Sequence, residues 1–169
     1  MRIEKSNTKD IDEIFRLYEL ATAFQKTKNC VLWPPFSRAM VATEIEEGRQ
    51  FKLLINNEIA CVWAIAFADP LIWKEKNKEA AIYLHRIATS PGFRGNNLVN
   101  TIVTWAKIYA KNHQKDYIRM DTVGENLGLI KHYKACGFYF LGLSKLKTTT
   151  GLPAHYANAV VSLFEMGVD

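Results

Sequence analysis

Apolar residues along the chain recur sometimes every three or four positions and sometimes every second one, and the switches between these periods divide it into helices and strands. Arg2 to Lys5 is short enough for an edge strand. Asn7 or Thr8 then caps a helix carried by Ile11, Ile14, Phe15, Tyr18 and Ala21. From Gln25 to Phe36 the chain is polar with interspersed aromatics, and Pro34-Pro35 forbids regular helix, so this stretch reads as a loop and a candidate substrate lid. Ser37 opens a second amphipathic helix that stops near Gly48.

Phe51 to Ile55 and Glu58 to Ala68 read as antiparallel strands joined by Asn56-Asn57, a pair that tolerates the positive φ of a tight hairpin. Ile59, Cys61, Trp63, Ile65 and Phe67 alternate with Ala60, Val62, Ala64 and Ala66, so both faces of the second strand are apolar and require cover. After a charged loop over Lys74 to Glu79, Ala80 to Thr89 reads as a strand broken by Pro91-Gly92. Leu98, Ile102, Trp105, Ala106 and Tyr109 mark a long helix, and Tyr117 to Val123 the next strand. This strand, helix, strand unit predicts two parallel neighbours in one sheet. A shorter helix from about Asn126 to Ala135 ends at Gly137, and strands follow near Phe138 to Leu146 and Tyr156 to Glu165.

The 169 residues are expected to form a single domain over 1–169. A hydrophobic share of 49% and a charged share of 23% exclude a disordered or fibrous chain. The longest apolar stretch, Ile59 to Ala68, is about half of the roughly 20 residues that span a bilayer, so no membrane partner is expected. The start, Met1-Arg2-Ile3-Glu4-Lys5-Ser6, lacks the apolar core of a secretory signal, which sets a cytoplasmic expectation. Cys30, Cys61 and Cys136 are odd in number and widely spaced, so they form neither a disulfide framework nor a CxxC metal site. Lysine and arginine outnumber acids by 22 to 17, giving +5. That balance favours an anionic partner, either nucleic acid or a phosphorylated cofactor. The basic residues are scattered, without an aromatic-basic strand or an arginine-rich helix, so nucleic acid is the disfavoured of the two.

The most informative segment runs from His85 to Asn100. A helix beginning directly after the Arg94-Gly95-Asn96-Asn97 turn points unpaired backbone NH groups and the positive end of its dipole at whatever precedes it, which suits a diphosphate. Arg94 adds a charge-assisted donor. A second segment, Asn126 to Phe138, places Tyr133 on a short helix whose end is set by Gly137-Phe138. With these two segments in this order, the chain resembles the GNAT-type N-acetyltransferase family. That family carries an Arg-Gly-x-Gly-x-Gly turn after its fourth strand and an Asn-rich entry to a helix ending Tyr-x-x-x-Gly-Phe. Arg94 and Gly95 match the turn, whereas Asn97 and Val99 stand where its second and third glycines would be. Asn97 tolerates left-handed geometry, and Val99 brings a β-branched side chain to a place of close backbone approach.

The resemblance implies an α/β (α+β) fold, a single GNAT-like domain with a central mixed sheet of six to seven strands and helices on both faces. It implies an acyltransferase that moves acetyl from acetyl-CoA directly to a primary amine. The fourth and fifth strands would part, with the pantetheine arm pairing along Ile87, Ala88 and Thr89. The diphosphate would rest on Arg94, Gly95, Asn96, Asn97, Leu98, Val99 and Asn100, and Asn126 would reach the pantetheine. Tyr133 would protonate the departing thiolate, a step suited to a phenol and a thiol whose ordinary pKa values, roughly 10 and 8.5, lie close together. For the base that takes the amine proton, the candidates are His85, Asp121 and water. Alternation aims His85 at the same face as Ile87, while Asp121 would instead bind a cationic amine or pair with Arg86 or Arg119.

His113, His132 and His155 show no ligand spacing, so no metal is expected. Cys136 lies at a helix C-terminus, where a thiol pKa rises, and reads as packing. Trp63 and Trp105 fit core positions. Trp33 and Trp73, in loops, fit either an acceptor wall or a satellite cluster or homodimer contact. The acceptor, a small-molecule or protein amine, would be met by Gln25 to Phe36, Leu71 to Lys78 and Thr148 to His155. Three other classes remain: a catalytically silent acyl-CoA sensor, which fits the substituted turn, a nucleic-acid-binding domain, and a dinucleotide oxidoreductase, whose glycine fingerprint is missing.

Overall fold

Hydrophobic alternation closes into one seven-stranded mixed sheet, of order β1-β2-β3-β4-β5-β7-β6, in the computed structural model of the chain. The structure describes residues 1–146 and 150–169. The strands are β1 (Arg2–Lys5), β2 (Gln50–Ile55), β3 (Glu58–Ala66), β4 (Ala81–Thr89), β5 (Tyr117–Val123), β6 (Tyr139–Lys145) and β7 (Val160–Gly167). The helices are α1 (Ile11–Thr27), α2 (Arg38–Glu46), α3 (Pro70–Trp73), α4 (Leu98–Asn112) and α5 (Leu127–Ala135). The backbone falls into two compact units, the first comprising Met1–Ile65 and His85–Leu98, the second Ala66–Leu84 and Val99–Asp169. Among the described residues no helix is long and apolar enough to cross a membrane.

In the first unit β1 pairs antiparallel with β2, and β2 with β3. Asn56 and Asn57 both adopt left-handed backbone, φ 51° and 65°, as a two-residue hairpin turn requires. Asn7 closes a reciprocal cap: its side chain accepts from Lys9 N at 3.0 Å, and its own N–H donates to Asp10 Oδ2 at 2.8 Å. The core of this unit joins Ile14, Leu17 and Tyr18 of α1 and Val41 of α2 with Val62 of β3 and Ala88 of β4. Ala60 to Ile65 are buried without a break, the double-sided cover that the apolar alternation of β3 demands.

In the second unit β4 and β5 run parallel over Ala81↔Tyr117, Ile82↔Ile118 and Tyr83↔Arg119. β5 then pairs antiparallel with β7 from Tyr117↔Gly167 to Val123↔Val161, and β7 with β6. Ile72, Trp73, Ala81, Tyr83, Leu146, Tyr156 and Val161 form one cluster of its core.

Three sequence expectations need correction. α1 runs on to Thr27, so the irregular segment begins after Gln25. The charged stretch read as a loop is ordered by α3 and a 3₁₀ turn over Lys74–Lys78, with Pro70 starting the helix where a missing N–H costs nothing. Tyr156 belongs to a 3₁₀ turn, Ala154–Tyr156, and the last strand starts only at Val160.

Candidate active site

The first unit contributes the second half of β4 and the turn before α4. Arg86 interrupts β4 with a left-handed backbone, φ 52°. Regular alternation therefore does not run from His85 to Ile87, and the face assigned to His85 by counting along the strand does not follow. Burial, with the nearby Arg86 and Arg49 charges, lowers the His85 pKa to about 3, so its imidazole is neutral near pH 7 and a weak proton acceptor. Ala88 is buried, and Thr89 Oγ1 donates to Cys61 Sγ at 3.4 Å. Ser90 N donates to Ala60 O at 2.9 Å, tying the exit of β4 to β3.

Beyond a 3₁₀ turn at Pro91–Phe93, Gly95 and Asn97 are both left-handed, φ 84° and 52°, and α4 begins at Leu98. Asparagine is among the residue types that reach this left-handed geometry most readily. Gly95, Asn96 and Asn97 are exposed, Leu98 is buried, and Val99 and Asn100 lie in the first turn of α4. Arg94 turns back on α1, where Nη2 donates to Leu20 O at 3.2 Å and the guanidinium lies 4.3 Å from the Phe24 ring centre.

The second unit contributes α5 and the buried acids. Asn126 is the N-cap of α5, its Oδ1 accepting from Leu129 N at 3.0 Å, so that oxygen is engaged in capping the start of the helix. Tyr133 is 9% exposed and packs edge-on against Phe164 and Phe138, at 5.2 and 6.2 Å between ring centres. The helix closes as Gly137 takes φ 96° and Phe138 N donates to Tyr133 O at 3.1 Å. A Cβ on Gly137 would stand 3.1 Å from Met166 Cε, so the end of that methionine would have to give way. Burial raises the Cys136 thiol pKa, which leaves it a poor nucleophile.

Asp121 pairs with neither Arg86 nor Arg119. Tyr156 Oη donates to its Oδ2 at 2.7 Å. Arg86 is held by Glu44, while Arg119 is held by Glu165 and Glu79. Burial raises the Asp121 pKa to about 6, and burial together with the Asp121 charge raises that of Asp69 to about 7. Asp69 was not legible as a candidate. Its signal, Asp69-Pro70, reads as a helix start and does not announce a buried carboxyl. A carboxyl with a raised pKa keeps its proton in the folded state where the unfolded chain has lost it, so stability declines as pH climbs from about 4 through 6. Asp121→Asn removes that contribution. Relative to wild type the variant is expected to gain about 1–3 kcal/mol between pH 4.5 and 7.5 in urea unfolding, and a pH-independent difference would contradict the shift.

Of the expected acceptor segments, Trp33 and Phe36 dock on Tyr18 at 5.8 and 5.3 Å between ring centres. Trp73 is 3% exposed in the core of its unit, which makes it packing and not an acceptor wall. In Thr148 to His155, Thr148 and Thr149 lie outside the described residues.

Residues 14–138 match the profile of the Acetyltransferase (GNAT) family. The chain belongs to the GNAT acetyltransferase family. It is 31% identical over 106 residues to the uncharacterized N-acetyltransferase YesJ of Bacillus subtilis (strain 168), a match covering 60% of this chain and 59% of that protein. Among solved structures, a GNAT-family acetyltransferase from Listeria monocytogenes 4b F2365 superposes with a TM-score of 0.76 at 20% identity, covering 98% of this chain and 94% of that one. The ribosomal-protein-S18-alanine N-acetyltransferase of Escherichia coli gives a TM-score of 0.68 at 15% identity, covering 99% and 94%. These likenesses establish the GNAT fold, with its mixed seven-stranded sheet and five helices.

Proposed function

We propose that the protein transfers acetyl from acetyl-CoA to a primary amine by direct attack, as one domain spanning residues 1–169. The observation that carries this reading is the pair of left-handed residues, Gly95 and Asn97, that delivers the chain into the first turn of α4. The unpaired N–H groups there suit a diphosphate, and the exposed side chains of Asn96 and Asn97 leave the backbone approachable. Ile87, Ala88 and Thr89, the last residues of β4 before the turn, would pair with the pantetheine arm.

Acetyl-CoA, when bound, supplies an activated thioester. The chain's own residues then divide the remaining work. Backbone N–H groups of β4 stabilise the oxyanion, and Tyr133 donates its phenolic proton to the leaving sulfur. For the amine proton, neutral His85 is the weaker acceptor and Asp121 the stronger, since the pKa of Asp121 lies nearer neutrality. Asn126 supports the site by fixing the start of the helix that carries Tyr133.

A thiol-release assay with acetyl-CoA across a panel of primary amines, from diamines to peptide N-termini, tests this reading. Amine-dependent release of coenzyme A is expected for at least one class. Tight coenzyme binding with no release on any amine would favour a silent acyl-CoA sensor instead.

A further inference from the structure

Left-handed backbone in the first unit falls mainly on asparagine: Asn29, Asn56, Asn57 and Asn97. A short polar side chain eases that conformation by bonding locally. Arg86 has no such help, and it lies inside a strand. An arginine at φ 52° returns to extended geometry unless its surroundings hold it there.

Those surroundings are present. The Arg86 guanidinium is paired with the carboxylate of Glu44 on α2, and Nε donates to Tyr18 Oη on α1 at 3.2 Å. It lies 5.3 Å from the Phe36 ring centre and 5.9 Å from that of Tyr18. The Arg86 and Glu44 side chains are 13% and 9% exposed, so swinging the guanidinium away would strand a buried charge. Two helices and an aromatic pair therefore grip the side chain of the one residue whose backbone departs from the strand, immediately before Ile87.

We propose that Arg86 is a positioning residue for acetyl transfer: the clamp of Glu44, Tyr18 and Phe36 on its guanidinium holds the left-handed step in β4 and thereby aims the backbone of Ile87, Ala88 and Thr89. The proposal rests on the reading of β4 as the strand that receives the thioester. Because Phe36 and Trp33 also pack on Tyr18, the clamp reaches the segment read as a substrate lid.

Steady-state kinetics on Arg86→Ala, Arg86→Gly and Glu44→Gln, with circular dichroism to count folded protein, tests it. Arg86→Ala is expected to lower kcat about 10- to 100-fold, the cost of a misaimed reacting group. KM for acetyl-CoA should stay within about threefold, since the loss falls on the transition state. Arg86→Gly is expected to retain more kcat than Arg86→Ala, because glycine reaches the left-handed region without a Cβ penalty. Glu44→Gln, which keeps the arginine, should fall between wild type and Arg86→Ala. A residue that only packs would yield equal kcat per folded molecule in all variants, and that result overturns the proposal, as does Arg86→Ala matching or exceeding Arg86→Gly. Should neither Arg86 variant fold, wild-type kcat in Glu44→Gln overturns it alone. A wild-type protein that acetylates no amine overturns the underlying reading, a distinguishable outcome.

Discussion

Tyr133→Phe is expected to lower kcat for acetyl transfer about 100- to 10,000-fold, the range for removing a positioned general acid. The substitution deletes one oxygen and leaves the ring in its seat among Phe138, Phe164 and His132. The backbone of the turn is unaffected, because the bond from Phe138 N goes to the Tyr133 carbonyl. KM for acetyl-CoA should therefore change little. Thiol release measured beside wild type checks this, and equal kcat in the two proteins would remove Tyr133 from the mechanism.

Arg119→Met is expected to cost about 3–5 kcal/mol of stability, the typical penalty for removing one partner of a buried ion pair. The Arg119 side chain is wholly buried. Its Nε donates to Glu165 Oε2 at 2.8 Å, Nη1 donates to Lys76 O at 2.5 Å and to Tyr83 Oη at 3.3 Å, and Nη2 pairs with Glu79. Its guanidinium also lies 4.9 Å from the Trp73 ring centre and 5.0 Å from that of Tyr117. Methionine fills much of the volume but leaves the Glu165 carboxylate, 15% exposed, with only the longer contact from Lys76 Nζ at 3.5 Å, and the Lys76 carbonyl without the Arg119 donor. Urea unfolding reads the loss, and a change below about 1 kcal/mol would show that the ion cluster stabilises little.

What could be read from residue order alone was local. The boundaries of β5 and the hairpin at Asn56-Asn57 follow from apolar period and from the conformational tolerance of asparagine, and both lie where those signals put them. The turn after Arg94 was legible for the same reason, since Gly95 and Asn97 are residue types that accept positive φ. Arg86 was not, because nothing in an arginine announces left-handed backbone. Its conformation depends on Glu44 and Tyr18, which only the folded chain brings to it. The acids illustrate the same limit. Asp121 could be named from its strand as a candidate base, but Asp69 before a proline could not, and the raised pKa values arise from burial, with the Asp121 charge adding to that of Asp69. The partner of Asp121 is Tyr156, a residue expected at the start of the last strand and found in a 3₁₀ turn before it.

The central claim is that the N–H groups opening α4 form a seat for the diphosphate of coenzyme A. Calorimetric titration of the folded protein with coenzyme A, run beside Asn97→Val, addresses it directly. A β-branched residue is strained at φ 52°, so saturable binding by wild type and affinity at least about tenfold weaker in the variant are predicted. No saturable heat at millimolar coenzyme, or equal affinity in the two proteins, would contradict the account.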